Sequence, residues 1–169
     1  VVEDDEDLRD ALSITLEAAG HRVAAAASGP EALDLLDRFQ AKVTFFSLGW
    51  IAERQPQIIR EITRRGHEIA LYSNLELART DPAEFRDELL RARDTLEEAG
   101  QARVLGFRAA QRWHYKTSES ALATLAQEGF AYDASIVPTL DELHRDPTKR
   151  FAHELQFGPH TLQELPVST

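Results

Sequence analysis

The sequence predicts an α/β protein built on a parallel sheet of repeated βα units covered by helices. Three observations predict it. Short β-branched and aromatic runs alternate with longer stretches whose apolar residues recur every three or four positions. Gly20, Gly66, Gly100 and Gly129 stand where helices should stop. Residues 41–69 contain one complete strand–loop–helix–strand unit, and the rest of the chain repeats that grammar.

In that central unit, Val43-Thr44-Phe45-Phe46 has the composition of a strand buried on both faces. Gly49 is expected to let the backbone turn, and Pro56 suits the first turn of a helix, where its missing N–H costs nothing. Ile58, Ile59 and Ile62 recur at helical spacing up to Gly66, and residues 67–72 form the next apolar run. Two buried strands joined by one helix make a right-handed βαβ unit.

The remaining elements follow in chain order. Val1-Val2 reads as a strand end, followed by the acidic cluster of residues 3–7. Leu8, Leu12 and Leu16 define the expected buried stripe of a first helix, and residues 22–26 a second strand. Ser28-Gly29-Pro30 opens a helix with Leu33, Leu36 and Phe39 inward. Asp81 is an expected N-cap with Pro82 at N1 and Glu84 at N3, for a helix carrying Phe85, Leu89, Leu90 and Leu96. Residues 104–107 read as a strand, Thr117 as the cap of a helix running to Gly129, and residues 134–137 as another strand stopped by Pro138. The stretch beyond is expected to be loop-rich, with one last strand at residues 163–167. About seven βα-type units result, and periodicity leaves an open doubly wound sheet and a closed barrel equally admissible. In either, ligands sit at the carboxyl ends of the strands.

Composition narrows the function. The 169 residues suffice for a single α/β domain with a sizeable core, and 43% hydrophobic with 28% charged content is globular. A net charge of −10 argues against nucleic acid or an anionic membrane as partner. With no cysteine, disulfides, thiolate catalysis and Cys-zinc sites are excluded. No apolar run approaches a membrane span and no signal peptide is visible, so a cytoplasmic protein is expected. The start at Val1 suggests residues missing upstream, and the lack of methionine suggests either a trimmed start or a high-GC source rich in Ala, Arg and Leu.

Two resemblances sharpen the reading. Residues 1–38 resemble the opening of a response-regulator receiver domain: an acidic pair after the first strand, a helix ending in AAGH, a second strand, then GPEALDLL. The resemblance implies a flavodoxin-like N-terminal portion, with magnesium at Asp4 and Asp5 beside a phosphorylatable Asp after the third strand. Ser47 holds that place here, so phosphoryl transfer to a carboxylate is not expected there.

Residues from about 33 to 169 resemble the polysaccharide deacetylases of exosortase and exopolysaccharide systems. The pieces are LDLLDRFQAKVTFFSLGWIAERQPQIIREITRRGHEIA, DPAEFRDELLRARDTLEEAG, VLGFRA, LATLAQEGFAYDASIVPT and ELPVST. This implies a distorted (β/α) barrel, here incomplete or rearranged, and removal of N-acetyl groups from sugars. The family's metal, usually zinc, is held by one Asp and two His, with a second Asp as base and a later His as acid. The positions of the two metal histidines are occupied here by Tyr72 and Glu76, the Arg-Ala-Pro motif reads Arg108-Ala109-Ala110, and Asp133 survives from an Asp-Ser-Ser motif. The strands bearing the final His would lie beyond Thr169.

Together these imply a catalytically impaired deacetylase-like hybrid: a receiver-like segment at 1–40 and a deacetylase-like segment at 41–169, joined near 33–42. The alternatives are a non-enzymatic scaffold or signalling module, a recombined or engineered chimera without natural activity, and an active deacetylase with an altered metal site. The catalytic candidates are Asp4, Arg108 and Asp133, and the metal candidates Asp5 and Glu76. Asp4 and Asp5 equally suit a solvated acidic turn, and Arg108 an ion pair between units. Because this donor set is incomplete, no cofactor is expected, with zinc or magnesium as the alternative. His67 reads as structural, His144, His153 and His160 as surface residues, and Trp113-His114-Tyr115 as lining a sugar cleft or filling a barrel mouth. A carbohydrate is the expected ligand. Unpaired strand edges in an incomplete barrel favour a homodimer; solution scattering should return twice the 19.0 kDa chain mass, and a monomeric mass would remove the expectation.

Overall fold

The computed structural model describes residues 1–75 and 81–167, so Glu76 lies outside the described residues. The chain divides into two compact units, Val1–Val43 and Thr44–Thr169.

The first unit holds helices α1 (Glu6–Ala18) and α2 (Gly29–Arg38). Asp5 caps α1, accepting from the Leu8 N–H at 3.0 Å. Ser28 caps α2 by accepting from Glu31 N–H, and the Glu31 carboxylate accepts in return from Ala27 N–H at 2.8 Å. The strands expected at residues 1–2 and 22–26 reduce to one parallel bridge between Val2 and Ala26. Four consecutive alanines, Ala24 to Ala27, offer little of the branched surface that stabilises strand pairing. The stripe expected to be buried on α1 is not: Leu8, Leu12 and Leu16 are 47%, 41% and 39% exposed. On α2 Leu33 is buried as expected, but Phe39 is exposed. Periodicity aligned these side chains on one face without supplying a surface to cover it.

The second unit contains every strand of the sheet. In order it runs β1 (Thr44–Ser47), α3 (Gly49–Arg54), α4 (Pro56–Arg64), β2 (Glu68–Ser73), α5 (Pro82–Gly100), β3 (Gly106–Ala109), α6 (Glu119–Gln127), β4 (Tyr132–Asp133), α7 (Leu140–Arg145), a 3-10 turn (Pro147–Arg150), β5 (His153–Phe157) and β6 (His160–Glu164). The six strands lie in the order β1-β2-β3-β4-β6-β5, parallel except for the antiparallel β5–β6 pair. This is the mostly parallel α/β sheet the sequence predicts. It is open, with β1 and β5 at its edges, and residues 1–43 add no strand to it.

The differences in detail have local causes. Gly49 opens the unexpected helix α3, and its role is close approach: a Cβ there would sit 2.9 Å from Ala92 Cα on α5. Ser118 rather than Thr117 is the N-cap of α6, and the Thr117 hydroxyl donates to His114 O instead. The β4 strand is two residues long, and residues 134–137, expected as a strand, contribute one parallel bridge from Ile136 to Trp113. The expected loop-rich end holds the β5–β6 hairpin, turning at Gly158 with φ +60°, and helix α7, closed by a Thr139–Glu142 capping box.

Alternation along the strands gives the sheet two different faces. One is buried under α5 and α6: Phe107 packs against Phe85, Trp113 and Phe130, at ring-centroid separations of 6.3, 5.3 and 6.1 Å. The other carries half-buried Thr44, Phe46, Glu68, Tyr72, Arg108 and Tyr132. Here the Tyr132 ring lies across β3, directly over Gly106, and its hydroxyl donates to Glu68 Oε1 at 3.0 Å; Thr44 Oγ donates to the other oxygen of Glu68. Burial pushes the Tyr132 hydroxyl up to about 12, so it stays a donor at neutral pH. A Cβ on Gly106 would meet the Tyr132 ring at 2.1–2.5 Å. Gly106→Ala should therefore cost about 1–3 kcal/mol in urea unfolding, as overpacked sites do. Combining it with Tyr132→Ala should cost less than the sum of the two single changes. Strict additivity would show that the ring and the glycine do not share the space.

Candidate functional site

The candidate site comprises the tips of β1 to β4 and β6. A row of register partners crosses the sheet there: Ser47, Leu71, Phe107, Asp133, Glu164 and His153. Register partners share a face, so Asp133 and Glu164 belong with Phe107 on the helix-covered side. Both are fully buried. Asp133 is well supplied with donors, taking Ser135 N–H at 3.0 Å and Ser135 Oγ–H at 2.6 Å. The same serine oxygen accepts from Ala109 N–H at 2.8 Å, which ties β3 to the segment after β4. Glu164 is poorly supplied by comparison: the Ile136 N–H approaches it, but among the described residues neither carboxyl oxygen has a formed hydrogen bond. The carboxyl group it meets is that of Asp133. Burial, then the neighbouring acid, holds the Glu164 carboxyl far above the usual carboxylate range, and burial raises Asp133 as well.

At the end of the row, His153 Nδ1 faces Phe151 O at 2.9 Å, which places the proton on Nδ1. Nε2 then accepts from the Tyr115 hydroxyl at 2.9 Å. Burial and the surrounding acids, Glu164 foremost, raise the Tyr115 hydroxyl above its ordinary range. The Lys149 ammonium lies 4.2 Å from the centre of its ring.

The sequence candidates separate. Arg108 and Asp133 occupy adjacent strands, but Arg108 alternates with Phe107 and so projects from the opposite face, its guanidinium 5.8 Å from the Phe46 ring centre. Asp4 is exposed in the first unit, and Asp5 there is the cap of α1. Glu76 is outside the described residues. Trp113 is buried in the aromatic core. His144 and His160 are exposed, and His153 and His160 sit at opposite ends of their hairpin. His67 is buried against Phe45 with neither ring nitrogen hydrogen-bonded. Sequence reading passed over Glu164, Ser135, Tyr115 and His153 as partners. The available signals were an Asp two residues before a Ser at a strand end, and a Glu two residues after Leu162, on the same face of a short strand.

The described donors at the tips of β2 and β3 do not suit a divalent metal. On the face of Tyr72 and Arg108 the described strand-tip donors are a phenol and a guanidinium, whereas zinc selects imidazole, thiolate and carboxylate. On the other face Asp133 and Glu164 are buried against each other, and His153 is engaged by Tyr115 and Phe151. Among the described residues no three His, Asp or Glu side chains converge on a metal-sized site. Beside the tips of β1 and β2 a cleft of about 200 Å³ is lined by residues including Trp50, Glu53, Asn74, Glu88 and Arg91.

Comparison with known proteins agrees with this fold. The polysaccharide deacetylase family model matches residues 9–131, starting well before residue 33 and running through most of the segment that resembles a receiver. A chitooligosaccharide deacetylase from Bradyrhizobium sp. (strain ANU 289) is 35% identical over 106 residues, covering 60% of this chain and 47% of that enzyme. A peptidoglycan-N-acetylglucosamine deacetylase from Bacillus cereus is 37% identical over 76 residues, covering 43% of this chain and 28% of the enzyme. A structure of a polysaccharide-deacetylase-type protein from Mycobacterium smegmatis superposes with a TM-score of 0.66 at 35% identity, covering 82% of this chain and 45% of that one. Puue allantoinase, at 24% identity and a TM-score of 0.60, shares the fold over 82% of this chain and 42% of its own. The chain thus matches less than half the length of each of these relatives. With the family model covering well over half its residues, the chain belongs to the polysaccharide deacetylase family.

Proposed function

We propose that this chain is a polysaccharide-deacetylase-type domain that binds an acetylated sugar and hydrolyses it poorly or not at all. The observation that carries the reading is Tyr72. It stands at the tip of β2, where the family resemblance places the first metal histidine, and its register neighbour is Arg108, a cation stacked on Phe46. A phenol beside a guanidinium is a poor zinc environment. Without a bound ion to lower the pKa of water, amide hydrolysis loses its main source of nucleophile at neutral pH. Asp133 is no substitute base: it faces the helix layer, fully buried and held by Ser135.

Sugar binding is supported by the cleft at the tips of β1 and β2. The half-exposed Trp50 offers a ring face, and Glu53, Asn74, Glu88 and Arg91 offer polar edges, the combination that holds a pyranose. In this reading residues 1–38 keep receiver-like wording without phosphoryl chemistry, because an Asp5 oxygen is engaged by Leu8 N–H and Ser47 has no carboxylate.

Protein purified after expression with added zinc should carry well under one zinc per chain and release no acetate from an N-acetylated chito-oligomer above the blank. Stoichiometric zinc together with zinc-dependent acetate release would replace this reading with an active enzyme whose ligands include Glu76. In a titration followed by chemical-shift changes, Trp50→Ala should weaken chito-oligomer binding by about tenfold, the loss expected when a ring face is removed. Unchanged affinity would move the sugar site elsewhere.

A further inference from the structure

We propose that Asp133 and Glu164 share one proton at neutral pH, and that this proton is the clasp holding β6, with the β5–β6 hairpin, against β4. The two residues are register partners on adjacent parallel strands. Both are completely buried, and among the described residues no cation is paired with either. Two buried carboxylates in contact, both ionised, would be strongly repulsive and desolvated. One proton turns that repulsion into an O–H···O⁻ hydrogen bond, the short and strong kind.

The surroundings decide where the proton sits. Ser135 gives Asp133 two donors, so Asp133 is the better anion. Glu164 has only a loose approach from the Ile136 N–H, which falls short of a formed hydrogen bond, so it holds the proton and donates to Asp133. The neighbouring groups leave this assignment standing. On β5, His153 is Glu164's register partner, but its nitrogens are engaged by Phe151 O and the Tyr115 hydroxyl. Tyr115 itself lies among acids, with Glu142 and Asp146 beyond it, and Lys149 sits over the Tyr115 ring. The backbone on either side depends on this register: Gln163 N–H donates to Ala131 O at 3.0 Å and Leu165 N–H to Asp133 O at 2.8 Å.

The sign of the pH dependence follows from linkage. Both groups titrate at higher pH in the folded chain than in the unfolded one, where they are ordinary carboxyls. The folded state therefore holds more protons than the unfolded state above the ordinary carboxylate range. The stabilisation is complete below that range and is lost as pH rises through neutral towards the folded value for Glu164. One retained proton makes the unfolding constant rise about tenfold per pH unit over that window.

The experiment is urea unfolding of the full chain and of Glu164→Gln at pH 6, 7, 8 and 9. Glutamine keeps the shape and donates an N–H to Asp133. The parent chain should lose stability by about tenfold per pH unit, and the variant should be nearly flat. Parallel curves for the two proteins would overturn the proposal. Should Glu164→Gln fail to fold, the infrared spectrum of the parent chain serves instead. A protonated-carboxyl C=O band should be present at pH 7 and bleach on raising the pH, and its absence at pH 7 would overturn the shared proton.

Discussion

The row of register partners from Ser47 to His153 is the constraint on which the rest of the second unit depends. Once β1 to β6 pair in this register, each side chain's face is fixed, because successive residues of a strand must point to opposite sides. Phe107 is then directed into the aromatic layer with Phe85, Trp113 and Phe130, while Arg108 and Tyr132 are directed away from it. The same rule carries Asp133 and Glu164 into the buried layer side by side. Burying two acids is costly unless each is hydrogen-bonded, and the Ser135 hydroxyl and amide meet that need for Asp133.

The opposite face is organised by a small network in place of apolar packing. Glu68 accepts from Thr44 on β1 and from Tyr132 on β4, so one carboxylate links three strands, and the tyrosine crosses the fourth only because Gly106 has no side chain. Further along that face, Arg108 stacks on Phe46, and Phe46 packs edge-on to Tyr132 with centroids 6.5 Å apart. These contacts hold the strand tips in place, and among the described residues they converge no three acids or imidazoles on a point. Kinship to the polysaccharide deacetylases and the chemistry of this chain are therefore separate matters, since a fold carries activity only through the groups placed on it.

Much of the architecture was legible in local sequence. Pro56, Gly66, Asp81 and Pro82 mark helix ends through φ restriction, left-handed φ and side-chain capping, which act within a few residues and need no partner. The strands at Phe45, Ile69 and Phe107 were visible because their apolar runs are too short for helices. What failed needed a distant surface. Leu8, Leu12 and Leu16 have perfect helical spacing, yet spacing says nothing of what lies opposite. The β5 strand is hard to read because, although His153, Leu155 and Phe157 alternate strictly with Glu154 and Gln156, the run is only five residues long and follows a stretch punctuated by Pro138 and Pro147.

For the candidate site the division is sharper. The sequence by itself determined the α/β class, the family and most helix boundaries, because residue identity and short-range geometry suffice for each. Only the tertiary structure decided that Arg108 and Asp133 project from opposite faces, that Glu164 is the neighbour Asp133 meets, and that Trp113 fills the core. These depend on inter-strand register, which brings together residues tens of positions apart and is not encoded within any one strand.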